Sequence, residues 1–488
     1  MWKRVNYLTH RWIGIALGLL VASWFVSGIV LMYYPWPAPT ESRQLEVLQP
    51  FTPSPHLVGF AAAAAAGPPG VQVVGGRLMI WAGRPVYMLL REKQRFVEPL
   101  TLVDARTGMV LAPVTPTEAV DAARAFVESK APLRRIDVLD QGDHYMMAAE
   151  YAANFPAYRV RFADAAGSAV YVGRETGTVF GVVTAWTRFT TWTGTVPHWL
   201  YFQWLYTRPA LWTWTNLVLP GVGLLLAFTG IALGLVQLLP RRNRGEWRLS
   251  GYRGMSHWHH IGGVVFGVIV VTWTLSGLLE ILGPSNEPRA GQAAGARGGP
   301  VPWGAIRVSP AAAGARLGPV LAIDITAVEG VPGYVVHRPG AAPSWVDAET
   351  GAGRGELDLM GAAAIARRAF EDGAGVRRVD RLTAYDTYYY ARHGRQMHLP
   401  VFRVSMSDRN NSVLYLDTVS GQPVGFVDAE TRTWRWVRDG LHTLDFPSLN
   451  NHRPLWDLVV LPLMIGGTLS ALTGVWLLIR RVRRLAAV

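Results

Sequence analysis

Four long apolar segments constrain this chain more than any other feature. They cover residues 12–34, 211–239, 261–282 and 455–479. Each is close to the ~20 residues a helix needs to cross a hydrocarbon core about 30 Å thick. Backbone inside lipid must satisfy its own hydrogen bonds, so segments of this kind are predicted to be helices. The expected fold class is an α-helical membrane protein with four transmembrane helices and two α+β domains between them. Charged residues make up only 17% of the sequence, against about 25% in ordinary soluble domains.

The net charge of +13 suggests a nucleic-acid surface until the charges are located. Lys3, Arg4 and Arg11 flank the first segment. Arg241, Arg242, Arg244, Arg248 and Arg253, against Glu246, lie between the second and third. Arg480, Arg481, Arg483 and Arg484 follow the fourth. Net charges of three, four and four place eleven of the thirteen in these three tracts. By the positive-inside rule all three are expected in the cytoplasm, with both termini. The basic runs therefore read as topology signals, and no nucleic-acid partner is expected. The expected partner is a lipid bilayer. The first segment, with its basic start, is longer than a signal-peptide core and reads as a retained helix. The chain has no cysteine, which excludes disulfides, iron–sulfur clusters and covalently attached haem.

The sequence is written twice. Ser23-Trp24-Phe25-Val26-Ser27-Gly28 returns as Thr272-Trp273-Thr274-Leu275-Ser276-Gly277. Val103-Asp104-Ala105-Arg106-Thr107-Gly108 returns as Val346-Asp347-Ala348-Glu349-Thr350-Gly351. Arg124-Ala125-Phe126, Tyr158-Arg159-Val160, Thr176-Gly177 and Thr229-Gly230 return as Arg368-Ala369-Phe370, Phe402-Arg403-Val404, Ser420-Gly421 and Thr473-Gly474. A nearly constant separation implies an internal parallel duplication of one helix–domain–helix unit, related by a pseudo-two-fold axis along the membrane normal.

The boundaries that follow are a first membrane helix within 1–34, an outer domain over 35–195, and an interfacial segment with the second helix over 196–240. A basic link covers 241–257 and the third helix 258–283. The second outer domain takes 284–440, an interfacial segment with the fourth helix 441–480, and a tail 481–488. In the outer domains, apolar runs such as 85–90 and 168–172 read as strands, separated by Asp-x-x-Thr-Gly turns. Pro116-Thr117-Glu118 opens an Ala-rich helix through Phe126, with Thr117 the expected cap. Low-complexity stretches 61–67 and 288–300 read as loops.

Seven of the twelve histidines lie at or beside membrane segments: His10, His198, His257, His259, His260, His442 and His452. Ionisable groups near hydrocarbon default to functional hypotheses. The duplication superposes His10 on His259 and His198 on His442, giving two symmetric pairs at opposite membrane faces. Gly14 and Gly18 follow His10 at helical spacing, as Gly263 and Gly267 follow His259, so each set shares a face with its histidine. Such a face lets a flat macrocycle lie against the backbone; it also suits close helix packing. Two neutral imidazoles fill both axial positions of a haem iron, which suits electron transfer. Two non-covalent b-type haems are expected, one per pair. His257, His260 and His452 lack a symmetric partner and stand in reserve, with the choice among His257, His259 and His260 open. The run Trp199, Tyr201, Phe202, Trp204, Tyr206, Trp212 and Trp214 reads mainly as an interfacial aromatic belt.

Thr9-His10-Arg11-Trp12-Ile13-Gly14, the Ser27-Gly28 and Ser276-Gly277 helix ends, the Asp-x-x-Thr-Gly turns and Pro197-His198-Trp199 together resemble the PepSY-associated transmembrane helix family, over nearly the whole chain. One departure is His259-His260-Ile261 where the first half has His10-Arg11-Trp12. The resemblance implies PepSY-like periplasmic domains, b-type haem, and outward electron transfer that reduces a ferric siderophore to release Fe(II). Gly221-Val222-Gly223 lies inside an apolar segment, without the strand–turn–helix setting of a nucleotide site. The electron donor is therefore a separate quinol or cytoplasmic reductase. The other classes weighed are a non-redox membrane-anchored binding or regulatory protein and, below it, a metal permease.

Overall fold

The structure is a computed structural model that describes residues 1–34, 41–93, 96–147, 149–238, 250–283, 290–315, 317–370, 373–391 and 397–486. The basic residues expected at 241, 242, 244 and 248, Glu246 and His393 lie outside the described residues. The chain divides into two compact units: Met1–Trp36, Phe189–Pro284 and Thr431–Val488, and Pro37–Arg188 with Ser285–Glu430.

The first unit is helical. Its four long helices are Trp2–Tyr33, Pro209–Gln237, Met255–Glu280 and Leu455–Ala486. All four are long and apolar enough to cross a membrane. The first begins ten residues before the expected span, because the stretch carrying Lys3, Arg4 and His10 continues the same helix. The helices pack in a ring, first on second, second on third, third on fourth and fourth on first, so first and third lie on a diagonal. Close packing rests on small residues, as predicted for helices that gain little from apolar burial in lipid. A Cβ at Gly267 would reach 2.7 Å from Ile231, and the rings of Phe25 and Phe266 lie over Gly467 and Gly466. Phe25, Trp273, Trp456, Val460 and Met464 form a buried cluster. Leu19, Val26, Leu225, Phe228, Val265, Val268, Ile465 and Leu469 face outward exposed, a surface suited to lipid and costly in water.

The second unit is α+β. Strands β1 (Val73–Trp81), β2 (Arg84–Lys93) and β3 (Phe96–Asp104) are followed by β4 (Leu133–Leu139), β5 (Ala157–Phe162), β6 (Ala169–Gly173) and β7 (Val179–Val183). The second stretch contributes β8 (Ala322–Val328), β9 (Val331–Arg338), β10 (Ala341–Asp347), β11 (Gly353–Arg354), β12 (Val376–Leu382), β13 (Val401–Met406), β14 (Val413–Asp417) and β15 (Pro423–Val427). β4–β7 and β12–β15 form two four-stranded antiparallel sheets with the same strand order. A helix, Pro116–Val127 or Leu359–Ala369, packs its Ala-rich face into the core beside each.

The two stretches are more closely joined than two separate domains. β1 pairs antiparallel with β8, so β3-β2-β1-β8-β9-β10-β11 is one seven-stranded sheet. Pairing β1 with β8 removes two open strand edges that would otherwise need protection. Gly75 permits this approach, since a Cβ there would lie 2.8 Å from the Ile325 carbonyl oxygen.

Three local expectations are corrected. The helix cap is Thr115, not Thr117: Pro116 takes the first helical position, and Thr115 with Glu118 forms a reciprocal capping box. Residues 61–67 are mostly helix, Phe60–Ala65, with Phe60 and Ala63 buried. The described part of 288–300 contains the helix Ala290–Arg297. Alanine-rich sequence with a buried face favours helix over loop. The Asp-x-x-Thr-Gly turns form as expected. Asp104 accepts from the amides of Arg106 and Thr107 before Gly108 at φ +73°, and Asp347 does the same before Gly351 at φ +77°.

Candidate functional site

The helical unit brings four of the seven membrane-proximal histidines together as two pairs. His10 of the first long helix and His259 of the third face each other with ring centroids 6.1 Å apart. His198, on the short helix Thr195–Trp199, and His442 also lie 6.1 Å apart. The pairs occupy opposite ends of the bundle. Ser27, which holds His198, is seventeen residues beyond His10 on one helix; at 1.5 Å per residue the pairs are about 25 Å apart along the axis. Lys3 and Arg4, and Arg480 to Arg484, lie at the His10–His259 end.

Each imidazole is held by its Nδ1 from a neighbouring long helix. His10 Nδ1 donates to the Leu226 carbonyl at 3.0 Å, with Thr229 Oγ1 at 3.4 Å. His259 Nδ1 donates to Thr473 Oγ1 at 3.0 Å and towards the Ser470 carbonyl at 3.3 Å. His442 Nδ1 donates to Ser276 Oγ at 3.1 Å and the Trp273 carbonyl at 3.2 Å. His198 Nδ1 donates to Ser27 Oγ at 3.0 Å, and that hydroxyl donates to the Trp24 carbonyl. Carbonyl oxygens only accept, so these contacts place the proton on Nδ1 and leave the Nε2 lone pair free.

A glycine lies under each ring. A Cβ at Gly230 would come 2.7 Å from His10 Cε1, and one at Gly474 3.2 Å from that of His259. The corresponding distances are 3.5 Å from Gly28 to His198 and 3.1 Å from Gly277 to His442. The Thr-Gly and Ser-Gly dipeptides that marked the repeat are thus the groups that seat the histidines. The sequence marks them as repeat elements, and Ser27-Gly28 and Ser276-Gly277 also as motifs of the resemblance, but not as seats; their recurrence in pairs with the histidines is the available signal. The glycines expected to lie under a macrocycle, on the helices of His10 and His259 themselves, are distinct from these four. Gly14 faces Leu226, Gly18 faces Val475 and Gly267 faces Ile231, while a Cβ at Gly263 would meet nothing within 4 Å.

The reserve histidines are set differently. His260 is buried, with Nε2 donating to the Gly234 carbonyl at 2.9 Å and Nδ1 2.8 Å from Ser250 Oγ. Its proton is on Nε2 and both nitrogens have protein partners. His257 lies edge-on to Trp258. His452 is exposed, with Nδ1 bonded to the Ser448 carbonyl of its own turn. In the aromatic segment, Tyr201 stacks on Trp212 and meets Tyr206 edge-on. Trp204 and Trp214 are exposed, as an interfacial belt requires.

Among the described residues no three or more His, Asp or Glu side chains form a metal-binding cluster. The two pairs suit a different geometry. Imidazoles that bind one iron from opposite sides, each nitrogen about 2 Å from the metal, put their ring centroids about 6 Å apart. Both pairs have that separation, and Nδ1 anchoring to carbonyl or hydroxyl is the outer-shell arrangement of metal-binding histidine. The residues therefore fit bis-histidine haem ligation. Comparison with protein-family models gives no match, and comparison with curated proteins gives none.

Proposed function

We propose that the chain is a duplicated inner-membrane protein of the PepSY-associated type. It would hold two b-type haems and pass electrons outward, reducing ferric siderophores in the periplasm to release Fe(II). The observation that supports this most is the occurrence, twice, of a histidine pair 6.1 Å apart with both Nδ1 atoms anchored. Bound haem supplies one-electron exchange between Fe(III) and Fe(II). His10 with His259 would hold one haem, and His198 with His442 the other. Leu226, Thr229, Ser470 and Thr473 at one end, and Ser27, Ser276 and Trp273 at the other, fix the tautomer and orientation of those ligands. The apolar cluster around Phe25, Trp273 and Met464 gives the His198–His442 end a low-dielectric setting. Electrons would enter from a separate quinol or cytoplasmic reductase at the His10–His259 end. That end carries the basic tracts and would face the cytoplasm.

A reduced-minus-oxidised spectrum with a haem-to-protein ratio tests the reading. Two low-spin haems per chain are expected. A chain expressed with ample haem and lacking a Soret band would overturn it in favour of a non-redox binding protein. Orientation is tested with single cysteines in this cysteine-free chain. Arg253→Cys should resist an impermeant thiol reagent in intact cells, and its labelling would reverse the topology.

A further inference from the structure

The two histidines at the Ser27–Ser276 end do not sit on long helices. They precede chain reversals, and the reversals share one construction. Two residues beyond His198, Leu200 adopts left-handed backbone at φ +53°; two residues beyond His442, Leu444 does so at φ +51°. A non-glycine residue in that region is strained and persists only where its surroundings enforce it. Leu200 is buried, and Leu444 packs against the cluster of Phe25, Trp273 and Trp456. Two residues further on, Phe202 and Phe446 each cap a four-residue helix, Gln203–Tyr206 and Pro447–Asn450.

A tryptophan near the start of the following long helix closes each reversal. Trp212 Nε1 donates to the carbonyl of Trp199 at 2.9 Å, and Trp456 Nε1 donates to the carbonyl of Thr443 at 3.0 Å. The acceptors are the residues directly after His198 and His442. Each indole is itself fixed. Trp212 stacks on Tyr201, with ring centroids 5.4 Å apart, and the Arg453 guanidinium lies 4.1 Å from the ring of the fully buried Trp456.

We propose that Trp212 and Trp456 are positioning residues for the His198–His442 site. Each indole N–H locks the peptide next to a ligand histidine, and the left-handed leucine fixes the direction in which the chain leaves it. Nδ1 anchoring alone leaves an imidazole at the end of a short helical segment free to swing with its backbone; the indole bond removes that freedom. The His10–His259 pair needs no such clasp, because both residues lie within long helices. The proposal rests on the haem reading above.

Trp212→Phe and Trp456→Phe keep ring bulk and remove the N–H. They are made in the His10→Ala chain, expected to hold only the haem of the His198–His442 site, and in the His198→Ala chain, expected to hold only the other. Haem transfer to apomyoglobin and the low-spin EPR signal are read in each. In the first background, transfer should be up to about tenfold faster, as expected for loss of one hydrogen bond, and the EPR signal should shift. In the second, both should stay at parental values. In the otherwise unmodified chain, EPR should show one of two low-spin signals moved. Parental transfer and EPR in the first background would overturn the proposal, as would equal acceleration in both, which marks general loosening of the bundle. An unmodified chain without haem would overturn the reading on which it rests.

Discussion

Arg77 of β1 and Asp324 of β8 form a two-pronged ion pair across the strand seam that joins the two stretches of the α+β unit, with N–O distances of 2.6 and 2.8 Å. His337 Nε2 adds a third contact to Asp324 at 2.9 Å. Burial pushes the Asp324 carboxyl up, but Arg77 and His337 outweigh it and hold the group well below the usual carboxylate range. Truncating one partner of a buried pair leaves the other charge uncompensated, at a cost of roughly 3–5 kcal/mol. Arg77→Ala is therefore expected to lower the melting temperature of the α+β unit, while Arg77→Met with Asp324→Leu recovers most of the loss. Circular dichroism of the full chain in detergent checks this. A single variant as stable as the parent would show that the pair does not hold the seam.

Acid should weaken the same unit. Burial raises Asp137, but hydrogen bonds from Arg161, Arg159 and Arg135 hold it down at about 2. A carboxylate depressed in the folded state stabilises it above the unfolded value, ~3.9, and that stabilisation is lost as pH falls through the folded value. The melting temperature of the α+β unit should therefore drop between about pH 4 and pH 2. Asp137→Asn should be less stable than the parent at neutral pH and flatter over this window. Parallel curves for parent and variant would remove Asp137 from the account.

The histidine pairs predict two classes of variant. His10→Ala and His259→Ala should each lose, or convert to high spin, the same one of two haems. His198→Ala and His442→Ala should do so for the other. His257→Ala, His260→Ala and His452→Ala should keep both: His260 carries its proton on Nε2, and His452 is bonded within its own turn. Visible spectra of the seven variants decide the matter. Loss of a haem in His452→Ala with none in His442→Ala would break the pairing.

Anchoring predicts a gradation between the two pairs. Ser27→Ala removes the hydroxyl 3.0 Å from His198 Nδ1, whereas Thr229→Ala leaves His10 bonded to the Leu226 carbonyl at 3.0 Å. Outer-shell partners of metal-binding histidines typically contribute 10- to 100-fold in affinity. Ser27→Ala should weaken haem retention towards that range, and Thr229→Ala should have a smaller effect. Haem titration of both variants tests the order; a larger effect at Thr229 would contradict it.

The long helices were legible because apolar length is a local property. The spatial approach of His10 to His259 was legible because the recurring sequence motifs superpose one on the other. The seats of the histidines were not. Gly230 under His10 and Ser27 beside His198 are contacts between residues 220 and 171 positions apart, and such contacts leave no period in the sequence. The Gly14 and Gly267 faces show the ambiguity, since one spacing serves a flat ligand and a neighbouring helix alike, and here both meet side chains of the second long helix. The β1–β8 seam was equally invisible, because strand pairing between distant segments needs complementary edges and not a motif. The Thr117 cap failed for a local reason: Pro116 is most stable at the first helical position, which moves the cap to Thr115.

The last prediction concerns the electron acceptor. Two imidazoles per iron leave no axial position open, so the proposed haems would exchange electrons with partners and not bind a substrate. The His198–His442 end, away from the basic tracts, is the one expected to face the periplasm. Protein reduced with dithionite and freed of excess reductant under anaerobic conditions should be reoxidised by ferric siderophores. Fe(II) should appear in step, trapped by a ferrous chelator. Hydroxamate and catecholate complexes should be compared because their potentials differ widely, and the rate should follow the potential if transfer is a simple outer-sphere step. Trp212→Phe should slow this reoxidation, whereas Thr229→Ala should alter it less. Reoxidation no faster than in buffer across a broad panel would remove the siderophore-reductase reading and leave haem binding standing on its own spectra.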